Sequence, residues 1–327
     1  MVRPSPIPTA ATARRPVWSE LPAPVRREIE RLAGGTVVRA ESQGGGYTPG
    51  FASRLLLADG SRVFVKGASS EYPWMIEAYQ AEVDKLRLLP AAVPAPRAIF
   101  DHRFTSSIPE PAAGQTPPVA EWLITGFADV AGRPPIRPWR EDEAKAVLDR
   151  VAAMSRVLTP PPSGADWIGF DDEFAANAAD WSAAVERRLV PDSLVGTGPA
   201  LAREFLAHCA KTTLVHCDLR DDNVIIGSEV WVCDWNYPVL GPTWTDAMSL
   251  LISMHGDGLD ADQLLAATGL APESERSLIN GFLATLLGYF AIAGHRPEVD
   301  NSPYLRTLQR WYADAAADWL LRRLDRM

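Results

Sequence analysis

Cysteine is nearly absent from this chain: Cys209, Cys217 and Cys233 are the only three in 327 residues. An odd, sparse set with no C-x₂-C pair argues against a disulfide framework and against thiolate zinc. It suits a reducing compartment, so a cytoplasmic setting is expected. Lysine is scarce as well, with Lys66, Lys85, Lys145 and Lys211 set against abundant arginine. Positive charge is nowhere concentrated, and the formal net charge is −9, which argues against a nucleic-acid partner. No uninterrupted apolar run reaches the roughly 18 residues of a membrane span, so no membrane partner is expected. The first residues, Met1-Val-Arg-Pro-Ser-Pro-Ile-Pro, carry too many prolines for a secretion signal, and residues 1–15 read as a disordered leader.

What remains is a globular composition, 47% hydrophobic and 22% charged, long enough for one large or two modest domains. Its most informative stretch is Leu214-Val-His216-Cys-Asp218-Leu-Arg220-Asp-Asp-Asn223, a polar loop between short apolar runs. A second aspartate, Asp234, closes the next apolar run, in Val232-Cys-Asp234-Trp235. Two carboxylates and an amide on loops beside strands are hard oxygen donors of the kind Mg²⁺ takes while it carries phosphates. The order H-x-D-x-x-x-x-N followed by a strand-terminal Asp is the catalytic-loop and metal-loop pattern of protein kinases.

The rest of the chain divides by periodicity. Val25, Ile29 and Leu32 recur at helical spacing, and a strand-like Thr36-Val-Val-Arg leads to the glycine cluster Gly44-Gly45-Gly46. Asp59-Gly60 between Leu55-Leu-Leu57 and Val63-Phe-Val-Lys66 predicts a hairpin, with Lys66 on the same face as Phe64. A helix is expected over 73–89, a Pro/Ser/Gly-rich loop over about 103–118, a strand at Trp122–Thr125 and a connector from Gly126 to Pro135. Beyond it helices are expected at about 141–158, 172–189, 198–210, 243–255, 260–268, 273–294 and 303–325, the sixth apolar nearly all round.

Four features together resemble the aminoglycoside phosphotransferase family, small-molecule kinases with the protein-kinase-like fold. They are Val63-Phe-Val-Lys66-Gly; Glu82-Val-Asp-Lys-Leu86-Arg-Leu-Leu89 followed by Val93-Pro-Ala-Pro96; His216-Cys-Asp218-Leu-Arg-Asp-Asp-Asn223; and Asp234-Trp235 with Gly241-Pro242 and Asp246. Two departures stand out: Cys217 occupies the place of a glycine, and Gly44–Gly46 lacks the G-x-G-x-x-G spacing of a kinase phosphate loop. The resemblance implies an α+β, two-lobed fold: an antiparallel-sheet N-lobe over 16–126 that binds nucleotide, and a mostly helical C-lobe over 127–327 that carries the catalytic loop, metal loop and acceptor site.

It also implies roles. Asp218 would take the proton of the acceptor hydroxyl, while Asn223 and Asp234 would hold Mg²⁺ on ATP or GTP. Lys66, fixed by Glu82, would grip the α- and β-phosphates, backbone amides at Gly45 and Gly46 would cover them, and main chain from Thr125 to Phe127 would meet the base. His216, Asp246 and Arg220 would support the catalytic loop. The acceptor is expected to be a small-molecule hydroxyl, with an aminoglycoside or other antibiotic among the candidates; a cationic one would want carboxylates such as Asp171, Asp172, Glu173, Asp257, Asp260 or Asp262. Kinases of choline-, sugar- or amino-acid-like metabolites share this fold, and a non-catalytic nucleotide-binding regulator is the rival of another class. Intact Lys66, Asp218, Asn223 and Asp234 speak against that rival. Only twelve positions separate Asp234 from Asp246, with no A-P-E segment, which leaves little room to dock a peptide.

Blander readings compete for each residue. Asp and Asn also favour plain turns, Lys66 could be a solvated edge-strand lysine, and Glu82 could pair with Lys85 along its helix or yield its role to Glu77. Trp235 and Trp244 are the tryptophans to watch for substrate contact.

Overall fold

The computed structural model describes residues 4–107 and 119–326. Most of the expected loop at 103–118 lies outside the described residues. Helix α1 (Ala23–Ala33) is followed by β1 (Val37–Ser42), β2 (Phe51–Leu57) and β3 (Arg62–Ser69). Then come α2 (Pro73–Leu88), β4 (Ala98–Ser107) and β5 (Val119–Ala128). The five strands form one antiparallel sheet in the order β1-β2-β3-β5-β4. The Asp59-Gly60 turn joins β2 to β3, and Gly60 adopts the left-handed φ of +88° that such a turn favours.

The sheet buries both faces because its strands place apolar side chains on each side. Leu55, Val63, Val65 and Ile124 pack with Val25 and Ile29 of α1, whereas Ala68 and Leu123 pack with Met75, Ile76 and Tyr79 of α2. Lys66 stands opposite Ala52 on β2 and Thr125 on β5.

The remainder is helical around one large apolar core: α3 (Glu141–Val157), α4 (Phe170–Glu173), α5 (Asn177–Glu186), α6 (Gly198–His208), α7 (Thr245–Gly256), α8 (Ala261–Thr268), α9 (Arg276–Ala293) and α10 (Leu305–Leu324). Four short strands interrupt it: β6 (Thr213–Val215) pairs with β9 (Val239–Gly241), and β7 (Val224–Ile226) pairs with β8 (Val230–Val232). The sheet with its two helices and this helical body are the two lobes of an α+β fold. By length and composition, Glu273–Ala293 could cross a membrane, but 67% of its apolar window is buried inside the molecule, as befits a core helix.

Three expectations need correction. The helix expected over 172–189 is split into α4 and α5 by a turn at residues 174–176, where Phe170 and Phe174, stacked at 4.4 Å, face the aromatic side chains of α6 and α9. Residues 4–15 do not read as a disordered leader: Thr12 is buried and bonded to the loop between β1 and β2, and Ile7 packs on the helical core. The connector begins later than expected, since β5 runs on through Thr125, Gly126 and Phe127 to Ala128 with partners on both sides.

Candidate active site

A cavity of about 600 Å³ opens between the lobes, within the size range of small-molecule sites. Phe64, Phe127 and Ile225 give it apolar walls, and Lys66, Asn223 and Asp234 reach it from opposite sides. The Lys66 ammonium donates to both Glu82 oxygens, at 2.9 and 2.7 Å, and to Asp234 Oδ1 at 2.7 Å. The rings of Tyr79 and Phe127 flank it at 5.4 and 5.6 Å. Burial alone would neutralise this lysine; the two carboxylates outweigh that and hold it charged. For Glu82 burial dominates, and its carboxyl is pushed up to about 7 despite Lys66. Asp234 is desolvated too, yet the charge and hydrogen bond of Lys66 bring it down to about 2. The helix thus sorts its own acids: Glu82 points inward to Lys66, Glu77 is exposed, and Lys85 donates instead to the Asn236 carbonyl of the other lobe.

The His216–Asn223 loop runs from β6 into β7. Asp246, at the start of α7, accepts the backbone N–H of His216 at 2.9 Å and of Cys217 at 3.1 Å. His216 bonds through Nε2 to the Cys233 carbonyl at 2.8 Å, tying the loop to the segment that carries Asp234. Asn223 donates its amide to the Asp218 carbonyl at 2.8 Å, which leaves its side-chain oxygen as the free donor atom. Arg220 forks between Asp218 and Asp222 and lies 5.6 Å from the Tyr47 ring, so it neutralises carboxylates of its own loop. Asp218 itself does not line the cavity, and desolvation nonetheless pushes its carboxyl up to about 6. Cys217 and Asp234 both adopt left-handed φ angles, +67° and +70°, rare for non-glycine residues and typical of strained functional loops.

Not every expected residue faces the opening. Gly45, Gly46 and Phe127 line the cavity, but Thr125 is fully buried and does not. The main chain of Thr125–Phe127 is spent on the ladders to β3 and β4, and residues 128–130 and 132–137 line the cleft beyond it. That connector is held to β7 by paired hydrogen bonds between Arg133 and Ile226, at 3.0 and 2.7 Å. Gly132 and Gly227 permit the approach, since a Cβ on either would sit 2.6 or 2.2 Å from a carbonyl oxygen across it.

Most carboxylates weighed for a cationic acceptor are engaged elsewhere. Asp257 binds Arg137, Asp260 caps α8, Asp262 pairs with Arg323 and Arg326, and Asp171 pairs with Lys211. Asp172 accepts the Gly169 N–H. Glu173 is exposed, and burial first, then the charges of Asp218 and Glu173, raise the phenols of Tyr237 and Tyr289. These tyrosines were not legible beforehand; the exposure of Tyr237, 50%, is what marks it. Trp235 lies edge-on against His216, and Trp244, bonded to Glu275 at 2.5 Å, is core.

A family model described as the phosphotransferase enzyme family matches residues 50–278. The chain belongs to that family. No curated protein sequence matches this phosphotransferase, but solved structures resemble its fold over most of its length. A thermostable mutant of the aminoglycoside phosphotransferase APH(4)-Ia, in ternary complex with ADP and hygromycin B, is 15% identical with a TM-score of 0.56, covering 91% of this chain and 98% of its own. The amicoumacin kinase hAmiN, bound to AMP-PNP and Ca²⁺, is 12% identical with a TM-score of 0.56, covering 90% and 93%. The macrolide 2'-phosphotransferase MphH from Brachybacterium faecium is 15% identical with a TM-score of 0.53, covering 90% and 96%. At such identities these likenesses concern the fold, and the fold is protein-kinase-like. The family match makes the chain a phosphotransferase.

Proposed function

We propose that this enzyme transfers the γ-phosphoryl group of ATP or GTP to a hydroxyl of a small molecule, with hydroxylated antibiotics as the first acceptors to test. The observation that carries this reading is the convergence of Lys66, Glu82 and Asp234 from opposite lobes on one cavity, with Asn223 beside them and Asp218 on the same loop. Phosphoryl transfer asks a protein chiefly to position reactants and neutralise charge, and this set does both. Lys66 grips the α- and β-phosphates and Glu82 holds its ammonium in place. Asp218, unprotonated above about pH 6, accepts the proton of the acceptor hydroxyl as its oxygen bonds to phosphorus and the nucleoside diphosphate leaves. The glycine loop at Gly45 and Gly46 covers the phosphates, and His216, Asp246 and Arg220 keep the catalytic loop in shape.

The free side-chain oxygen of Asn223 and the carboxylate of Asp234 fit Mg²⁺, a hard ion that takes few protein ligands and fills its shell with phosphate oxygens and water. Bound there, the ion would neutralise charge on the triphosphate. The acceptor would lie against Tyr237, Tyr289 and Glu173, which together offer apolar faces and one negative charge, a combination suited to a hydroxylated cation such as an aminoglycoside. We read residues 16–126 and 127–327 as the two functional lobes and the cytoplasm as the working compartment.

The test is to incubate the purified protein with Mg²⁺, ATP or GTP, and a panel of aminoglycosides, macrolides and metabolite alcohols, and to seek an added phosphate by mass spectrometry. Product with the wild type and its loss in Asp218→Ala is the expected result. Nucleotide turnover at equal background rates in both proteins would favour a binding protein instead.

A further inference from the structure

Five cations line the cleft, and four of them are already neutralised. Lys66 faces Glu82 and Asp234, Arg54 faces Asp129 at 3.2 Å, Arg133 faces Glu143 at 2.7 Å, and Arg137 faces Asp221 and Asp257 at 2.9 and 2.6 Å. The fifth is Arg15. Among the described residues it has no carboxylate at ion-pair distance; its terminal nitrogens donate to the carbonyls of Gly50 at 3.2 Å and Gly45 at 2.9 Å. Its Nε is buried without any partner. A half-buried guanidinium at the wall of a cavity, with no carboxylate to balance it among the described residues, is poised for an anion through its terminal nitrogens.

The arm that carries Arg15 is anchored at several points. Thr12 donates through its N–H to Gly44 O at 2.9 Å, and through its hydroxyl to the Gly44 and Gly46 carbonyls at 3.1 and 2.6 Å. Arg14 N donates to Asn301 O at 2.8 Å, and Ser5 N to Asp257 at 3.3 Å, so the arm touches both lobes. Ala11 passes so close that a Cβ on Gly44 would lie 2.8 Å from its backbone nitrogen. The first glycine of the cluster therefore serves the arm, which accounts for a spacing unlike that of a kinase phosphate loop.

We propose that Arg15, delivered by this N-terminal arm, binds the phosphate chain of the nucleotide, so that the arm is a working part of the nucleotide site. The inference rests on reading the cleft as a triphosphate site. Arg15 bridges the glycine loop and the incoming phosphates, supplying the uncompensated positive charge that the Lys66 cluster, already shared between two carboxylates, lacks.

Calorimetric titration of the full chain, with Mg²⁺ present, separates the possibilities by phosphate number. Arg15→Gln is expected to weaken ATP about tenfold or more while leaving adenosine affinity unchanged, and Arg15→Lys to recover part of the loss. Unaltered ATP affinity in Arg15→Gln would overturn the proposal, and so would equal losses for ATP and adenosine, which would mean that Arg15 only shapes the loop. Thr12→Val removes a loop clamp without touching charge; an ATP-selective loss there equal to that of Arg15→Gln would likewise assign the effect to the loop. Unfolding temperatures of the variants check that each is folded. Should the wild type and Lys66→Ala both fail to bind either ATP or GTP, the triphosphate reading itself falls, an outcome distinct from failure at Arg15 alone.

Discussion

At the level of single residues, the chemistry turns on how far the cleft moves each charge. Asp218 sits at about 6 because desolvation outweighs the attraction of Arg220. A base must be unprotonated to take a proton, so kcat/KM should rise about tenfold per pH unit below 6 and level off above it. A pH–rate profile flat from 5 to 8 would contradict this. Cys217 gives a second prediction. At φ +67° a side chain costs about 1–2 kcal/mol, whereas glycine loses roughly 0.5–1 kcal/mol more backbone entropy on folding. Cys217→Gly should therefore be more stable than Cys217→Ala by about 0.5–1 kcal/mol, reversing the usual order; urea titrations of both variants decide it. Spacing alone singles out Lys66, Asp218, Asn223 and Asp234 in the sequence, and Lys66 and Asp234 do meet across the lobes. The positions of Tyr237, Tyr289 and Arg15 were not readable, since their neighbours are distant in sequence and no spacing encodes them.

Among elements, most helices and strands follow from apolar periodicity, and the failures lie where packing overrode it. The break between α4 and α5 has no proline or glycine to announce it. The extension of β5 through Phe127 depends on partners in β3 and β4, which no local pattern reveals. Helix α9 is apolar all round because it is enclosed by α5, α6 and α10, and its glycines are contact points. A Cβ on Gly281 would meet Leu201 O at 2.6 Å and the Phe205 Cβ at 2.5 Å. Overpacking of this kind costs about 1–3 kcal/mol, and alanine returns only about 1 kcal/mol of helix propensity. Gly281→Ala should thus lower stability by about 1 kcal/mol, and by at most about 2. A chemical-denaturation midpoint equal to that of the wild type would show that α6 and α9 can part at no cost.

On the scale of the whole molecule, the lobes meet through charged, neutral and apolar contacts: Lys66 to Asp234, Lys85 to the Asn236 carbonyl, Val232 N–H to the Pro94 carbonyl, the arm across Gly44 and Asn301, and Leu86 and Leu89 against the helical core. Anything that binds in the cleft adds bridges between the lobes and stabilises the folded state by mass action, about 2.7 kcal/mol at a hundred times Kd. For a chain of this size that corresponds to an upward shift of several degrees in unfolding temperature with saturating Mg²⁺ and ATP. Lys66→Ala should abolish most of the shift, and a full shift in that variant would place the nucleotide elsewhere.

The linear order of residues determined the reaction class and the general architecture. Local periodicity selects helices and strands, and a short motif confines catalytic groups to one loop whatever surrounds it. Folding alone decided which acids are tied up in ion pairs, where the connector opens onto the cleft, and that the arm of residues 5–15 is tied to the glycine loop and the helical body at several points. Those outcomes depend on contacts between segments tens to hundreds of positions apart, where burial and charge pairing, not local preference, fix the free energy.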